Sequence, residues 1–209
     1  MKLEFFDLGL IHYKDSYDFQ IKTYNKVKSK ELDHALISCS HYPVITLGRQ
    51  AKPGNLLVSE DELKKRKIEL FNIERGGDIT YHGPGQLTVY PIFNLGLIRK
   101  DIHFFIRSLE NIIINTLGHF KIKAGRREAL TGVWVKNEKV ASIGISIKHW
   151  ITYHGLTINV KKADLDNFRL IRPCGMDIMM TSMESISGED IDIKEVSQTL
   201  NKEIAKWPK

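Results

Sequence analysis

The segment Val133-Trp134-Val135-Lys136-Asn137-Glu138-Lys139-Val140-Ala141-Ser142-Ile143-Gly144-Ile145-Ser146-Ile147 reads as a strand, a turn at Asn137-Glu138 and a second strand. Ala141, Ile143, Ile145 and Ile147 recur with period two, so one strand face is apolar and the opposite face carries Ser142 and Gly144. Residues 152–160 continue as another strand. Upstream, Ile102, Phe105, Ile106, Leu109, Ile113, Leu117 and Phe120 follow Asp101 at helical spacing. Downstream, Asp192 with Glu195 at the capping-box offset opens a helix expected to bury Val196, Leu200 and Ile204. Towards the N-terminus, Tyr17, Ile21, Tyr24 and Val27 mark a helix over about residues 16–29. Residues 35–47 read as strand material, interrupted at His41-Tyr42-Pro43 and ended by Gly48-Arg49, and Ser59 with Glu62 caps a short helix through Lys67. Residues 87–94 form a strand in which Pro91 implies an edge position or a bulge. Hairpin-like strands between separated helices make the class α+β with a mixed or antiparallel sheet. The regular βαβ alternation of a doubly wound nucleotide fold is missing.

The 209 residues are 42% hydrophobic and 27% charged, which suits one domain with a real core and excludes a disordered chain. No stretch approaches the roughly 20 apolar residues of a membrane span, and the acids within Met1-Lys2-Leu3-Glu4-Phe5-Phe6-Asp7 argue against a leader. Two cysteines, Cys39 and Cys174, make no disulfide framework and read as free thiols in a reducing cytoplasm. The formal charge of +6 comes from short clusters, Lys64-Lys65-Arg66-Lys67, residues 121–127 and Lys161-Lys162. No nucleic-acid motif or interleaved aromatic platform surrounds them. They read either as a solvated face or as a landing patch for an acidic protein partner.

Three segments break the rules of ordinary core and loop. Arg75-Gly76-Gly77-Asp78-Ile79-Thr80-Tyr81-His82-Gly83-Pro84-Gly85-Gln86-Leu87 holds four glycines within eleven residues. It has neither the ending of a P-loop nor the spacing of a dinucleotide site. It reads as a tight hairpin carrying an Arg salt bridge, or as a binding loop whose N–H groups meet a developing oxyanion. In Lys139-Val140-Ala141-Ser142-Ile143-Gly144, Lys139 reads as a surface lysine or a functional one at a strand's start, and Gly144 leaves room on its face for a ligand. His154 before Gly155 reads by itself as a hydrogen-bonded core histidine. In Phe168-Arg169-Leu170-Ile171-Arg172-Pro173-Cys174-Gly175, the thiol stands between two backbone-constraining residues with two arginines close in sequence, and a nearby cation lowers a thiol pKa. Cys39, within Leu36-Ile37-Ser38-Cys39, reads as a buried, inert cysteine.

At these residues the chain resembles the octanoyltransferases of lipoate biosynthesis, the lipoyl(octanoyl) transferases. The likeness runs through residues 75–91, 139–144, 150–160 and 168–175, together with 42–49 and 52–56, and so touches nearly the whole chain. Thr157 stands where that family more often has alanine or serine. The resemblance implies a single catalytic domain over residues 1–209 with the fold of the biotin/lipoate protein ligases, a mixed β-sheet flanked by helices. It implies Cys174 as nucleophile and Lys139 as its acid/base partner. Arg75, Gly76, Gly77, Asp78, Ile79, Thr80, Tyr81, His82, Ser142, Ile143, Gly144, His154, Gly155, Leu156 and Thr157 would line the substrate site. The donor would be octanoyl on the phosphopantetheine of acyl carrier protein. The acceptors would be lipoyl domains of 2-oxoacid dehydrogenases and the glycine cleavage H protein. The resemblance implies no ATP, no metal and no other cofactor, nor any nucleic-acid or membrane partner. An ATP-dependent lipoate or biotin protein ligase on the same scaffold is the nearest alternative, which Pro173-Cys174-Gly175 disfavours because an adenylate-forming ligase needs no nucleophilic cysteine. A non-enzymatic module that binds a carrier protein or RNA is the other, and it requires that alkylating Cys174 leave function intact.

Overall fold

In the computed structural model, residues 2–173 and 178–207 are described. The chain runs β1 (Leu3–Ile11), α1 (Tyr13–Lys28), β2 (His34–His41), β3 (Val44–Leu47), α2 (Glu60–Lys65), β4 (Glu69–Asn72) and β5 (Ile79–His82). It continues through β6 (Gln86–Phe93), α3 (Ile102–His119), β7 (Gly125–Arg127), β8 (Leu130–Val135), β9 (Glu138–Lys148) and β10 (Ile151–Asn159) to α4 (Met183–Ser187) and α5 (Ile193–Ala205). Seven strands form one sheet in the order β1-β2-β6-β10-β9-β8-β7, and β4-β3-β5 form a second. Only β1/β2 and β3/β4 pair in parallel, so the architecture is the mixed sheet with flanking helices expected of an α+β chain.

Side-chain alternation sends each strand of the large sheet to two cores. Leu36, Leu87, Val89, Leu156 and Ile158 pack on one face beneath α3 and α5, where Phe105, Leu109, Ile113, Val196 and Leu200 are buried. Ile37, Cys39, Tyr90 and Ile92 pack on the other face under Tyr24 and Val27 of α1. The small sheet has its own core, in which Ile45, Ile79 and Tyr81 meet Phe168 and Leu170. The caps read from sequence form as hydrogen bonds: Asp101 accepts from Phe104 N (2.9 Å), Ser59 from Glu62 N (3.2 Å) and Asp192 from Lys194 N (2.9 Å). Helix α1 begins earlier than its apolar spacing implies, because Tyr13 and Ser16 are already buried in its first turn.

Pro91 does not mark an edge. Strand β6 lies in the middle of the large sheet, between β2 and β10. It tolerates proline because its ladder with β10 ends at the Leu156–Val89 pair. Beyond that pair His154 takes a positive φ of 56° and gives its N–H to Gln20 Oε1 (3.0 Å) rather than to β6, so Pro91 lies where the ladder is interrupted, with its ring against Gly155. The bulge expectation does not hold either: β10 keeps one register along β9, and its pairing with β6 resumes in the same register at Ile151–Asn94. Strand β1, β4 and β5 were not read from the sequence; β1 is an edge strand whose acids and half-exposed residues mask its alternation.

At this interruption β10 lies so close to β6 that a Cβ on Gly155 would meet Pro91 Cδ at 2.8 Å and Tyr90 Cα at 3.0 Å. Gly155→Ala is therefore expected to cost about 3 kcal/mol or more. Gly118→Ala, where a Cβ meets nothing within 4 Å in α3, should stabilise by about 0.5–1 kcal/mol. Denaturant midpoints of the two variants check this, and equal effects would contradict it.

Candidate active site

The first half of the glycine segment lies across β9. Gly76 N donates to Ile145 O (3.0 Å), and the loop is stitched to residues 48–50 by Gly48 N to Asp78 O (3.1 Å), Arg49 N to Arg75 O (3.0 Å) and Gln50 N to Gly77 O (3.1 Å). Gly76 N–H is thus committed to β9 and is no oxyanion donor. The Arg75 guanidinium donates to the carbonyls of Gly76 (2.8 Å) and Asp78 (2.7 Å). A Cβ on Gly144 would lie 2.8 Å from Arg75 Cδ, so the space that Gly144 frees holds Arg75 rather than standing open to a ligand. Asp78 turns inward and accepts from Ile79 N (2.7 Å) and the Asn55 amide.

The second half is a hairpin. Gln86 N donates to Gly83 O (3.1 Å), the Gln86 amide oxygen accepts from Gly83 N (3.3 Å), and Gly85 N donates to Asp164. The hairpin reading therefore describes this second half, and Arg75, in the first, is held by the carbonyls of Gly76 and Asp78. Tyr81 points away from the site: β5 alternation sends it to the small-sheet core, where its hydroxyl accepts from Asn167 (2.9 Å).

A cleft of about 440 Å³ is lined by Arg75, Gly76, Gly77, Asp78, Ile79 and Thr80 on one side and by Lys139, Ser142, Ile143 and Gly144 of β9 on the other. Pro173 and Ile178 also line it. Cys174 lies outside the described residues. Lys139 is only 9% exposed, and its ammonium sits 5.4 Å above the Trp134 ring. Its backbone is fixed on both sides, Lys139 N donating to Met179 O (2.8 Å) and Thr181 N to Lys139 O (3.0 Å). A smaller cavity of about 50 Å³ shares Arg75, Thr80, Ser142, Ile143 and Gly144 with the cleft, and His82, His154, Gly155, Leu156 and Thr157 border it.

Tyr13, Thr88, Tyr90 and Trp134 line these spaces without having been singled out. For Trp134 a signal existed, since the hairpin register pairs it with Lys139. For the others none did, because they arrive from α1 and β6. The metal-ligating residue types form no cluster of three among the described residues, and no helix among those residues is long and apolar enough to cross a membrane.

Burial governs the electrostatics here. His41 and His154 are each pushed down to about 4 by desolvation, and His82 is driven well below its ordinary value by the same cause. All three are neutral at pH 7. His41 bonds Tyr90 Oη (2.7 Å) and Ile11 O (3.1 Å), and His82 Nδ1 bonds Thr157 Oγ1 (3.2 Å). His154 Nε2 and the Tyr13 hydroxyl are buried without a hydrogen-bond partner among the described residues, so His154 is not the satisfied core histidine its sequence suggested. Burial pushes the Cys39 thiol up, which agrees with an inert cysteine. Within the basic clusters, Arg66 pairs with Glu62 (2.7 Å), Lys161 with Glu184 (3.5 Å) and Asp190, and Arg126 with the buried Glu110 (2.7 Å).

The family model "Lipoyl protein ligase A/B catalytic domain" matches residues 12–205. The chain belongs to this family. A relative named octanoyltransferase from Caldanaerobacter subterraneus subsp. tengcongensis is 44% identical over 199 residues, covering 94% of this chain and 86% of its own. Another of that name, from Cytophaga hutchinsonii, is 39% identical over 95% of this chain and 89% of its own. Among solved structures, a putative lipoate protein ligase from T. acidophilum with bound lipoic acid superposes with a TM-score of 0.74 over 99% of this chain and 86% of its own, at 16% identity. The biotin protein ligase of Aquifex aeolicus gives 0.55 over 98% and 67%, at 13% identity. These two likenesses establish the fold. The octanoyltransferase relatives place the chain among the acyltransferases of lipoate biosynthesis and identify its chemistry as lipoyl/octanoyl transfer.

The neutral histidines make stability pH-dependent with a definite sign. Their folded values lie below that of an unfolded histidine, so between about pH 6.5 and 4 the unfolded chain binds more protons and stability falls as pH falls. At pH 5 each of His41 and His154 costs about 2 kcal/mol relative to pH 7.5. Denaturant midpoints at pH 7.5, 6 and 5 should decline steadily. His154→Asn, whose residue tolerates the positive φ, should decline less steeply; an unchanged slope would contradict the assignment.

Proposed function

We propose that this enzyme moves an octanoyl group from acyl carrier protein to a lipoyl-domain lysine through a thioester on Cys174, with Lys139 as the proton carrier. The observation that carries the proposal is that Lys139 and both residues bracketing the Cys174 segment, Pro173 and Ile178, line one cleft. Cys174 follows Pro173 directly in the sequence. The other cysteine supports the reading by elimination: Cys39 is 3% exposed and bonded to His41 (3.4 Å) in the core under α1, with its thiol held protonated.

A free thiol with a pKa of about 8.5 is only a few per cent ionised at pH 7, and lowering that value by about 1.5 units takes roughly 2 kcal/mol of preferential interaction with the thiolate. One ammonium in a cleft largely shut from water supplies an interaction of that size. The Cys174 thiolate attacks the thioester carbonyl of the donor, the bond to the pantetheine sulfur breaks, and the Lys139 ammonium gives that sulfur its proton. The acceptor amine then attacks the acyl-enzyme and passes a proton to neutral Lys139, and Cys174 departs as thiolate. An amide has formed and the resting ion pair is restored. The first exchange is nearly isoenergetic and the second is downhill, so no nucleotide is consumed.

Two methylenes differ by about 1.6 kcal/mol of burial, or about 15-fold in affinity. Sharp choice of an eight-carbon chain therefore needs a closed end, and the smaller cavity beyond Arg75 and Gly144 fits that need.

Intact mass after mixing with octanoyl-carrier should show an octanoyl adduct on the wild type and on Cys39→Ser, and none on Cys174→Ala. Lys139→Ala should form the adduct far more slowly. An adduct on Cys174→Ala ends the proposal. The carrier is acidic and the chain basic, so kcat/KM should fall steeply as salt rises, and a flat profile would remove the electrostatic docking step.

A further inference from the structure

Helix α3 carries a carboxylate that the mechanism above does not use. Glu110 is completely buried. Its Oε2 accepts from Arg107 Nη1 and Arg126 Nε, both at 2.7 Å, while Oε1 accepts from Gly132 N at 3.0 Å. Gly132 is where β8 leaves regular geometry. Its φ is 127°, and the β7/β8 register shifts across it, the Arg127–Leu130 and Gly125–Trp134 pairs spanning four steps of β8 against two of β7. A bulged N–H turned off the ladder and buried needs an acceptor, or it costs about 1–3 kcal/mol. Glu110 is that acceptor.

What Gly132 touches gives the bond its meaning. A Cβ there would fall 2.5 Å from Lys139 Cε and 3.1 Å from Lys139 Nζ. The Gly132 backbone is one wall of the Lys139 slot, and the Trp134 ring is another, 5.4 Å from the ammonium. With the lysine backbone held by Met179 and Thr181, the position of its ammonium depends on where Gly132 stands. We propose that Glu110 is a positioning residue for Lys139, acting through the Gly132 N–H rather than through its charge. The two arginines serve the carboxylate, and Arg126 is thereby withdrawn from the basic surface to which its sequence neighbours belong.

The inference rests on the Cys174–Lys139 reading, and two conservative variants separate the outcomes. Glu110→Asp keeps the charge but is a methylene too short to reach Gly132. Glu110→Gln loses the charge but keeps an oxygen at the right length, while Arg107 and Arg126, partly exposed, can turn to solvent. The readout is the rate of iodoacetamide alkylation at Cys174 across pH, followed by peptide mapping, on proteins whose thermal melts establish that they fold. Glu110→Asp should slow alkylation near neutral pH by about fivefold or more, the kinetic equivalent of an orphaned buried N–H. Glu110→Gln should stay within about twofold of the wild type, and Glu110→Asp should have no further effect in a Lys139→Ala background. Equal rates in all proteins, a Glu110→Gln loss as large as that of Glu110→Asp, or losses that add to Lys139→Ala overturn the inference. If Lys139→Ala alone leaves alkylation of Cys174 unchanged, the functional reading itself fails, and that result is distinct from a failure confined to Glu110.

Discussion

The guanidinium of Arg75 lies across Gly144 of the large sheet while donating to the carbonyls of Gly76 and Asp78 in the loop that leads to the small sheet. A cation taken out of water must have its donors satisfied in place, since an unmatched buried charge costs several kcal/mol. Fixed carbonyls accept from both of its Nη atoms here, and they are fixed because the loop is stitched to residues 48–50 and to Ile145 of β9. One side chain thus seats the small sheet on the large one and forms the wall common to the cleft and the smaller cavity. A Cβ at residue 144 would displace that side chain, and the wall with it.

Around this contact the site divides into two electrostatic regions. The smaller cavity is bordered by imidazoles held neutral by desolvation, with Thr157 and Tyr90 as partners of His82 and His41. Such a lining is compatible with an apolar guest because it presents no ionised histidine. The cleft, by contrast, holds Lys139 against the face of Trp134, where the ring quadrupole favours a cation. Both spaces share the Arg75 guanidinium, whose Nη atoms are turned to the carbonyls of Gly76 and Asp78, and the cleft adds the Lys139 ammonium.

Much of the architecture was readable one element at a time. The helix after Asp192 buries Val196, Leu200 and Ile204 as its spacing implied, and the helix after Asp101 buries Phe105, Leu109, Ile113 and Leu117 but leaves Ile102 exposed. The β8–β9 hairpin formed, yet of its alternating residues Ala141 is buried while Ile143, Ile145 and Ile147 are half-buried. The elements that were not read, β1, β4, β5, β7 and α4, are short or lie at sheet edges, where one face meets solvent and periodicity is blurred. Pro91 was misread because proline in a strand signals a missing hydrogen bond without saying which neighbour gave it up. In this fold β10 did, where His154 takes a positive φ and turns its N–H to Gln20.

The order of residues along the chain determined the fold class, the helix boundaries and the family, because propensity, capping and fixed motif spacing act between residues a few positions apart. It also marked Arg75, Lys139, Gly144 and Gly155 as unusual. Only the assembled structure decided that Arg75 fills the space over Gly144, that Tyr81 faces a different core from its neighbours, and that Glu110 of α3 supports the wall beside Lys139. These contacts join residues 22 to 86 or more positions apart. Their existence depends on how two sheets and a helix pack, and packing is a property of three-dimensional complementarity that no local pattern encodes.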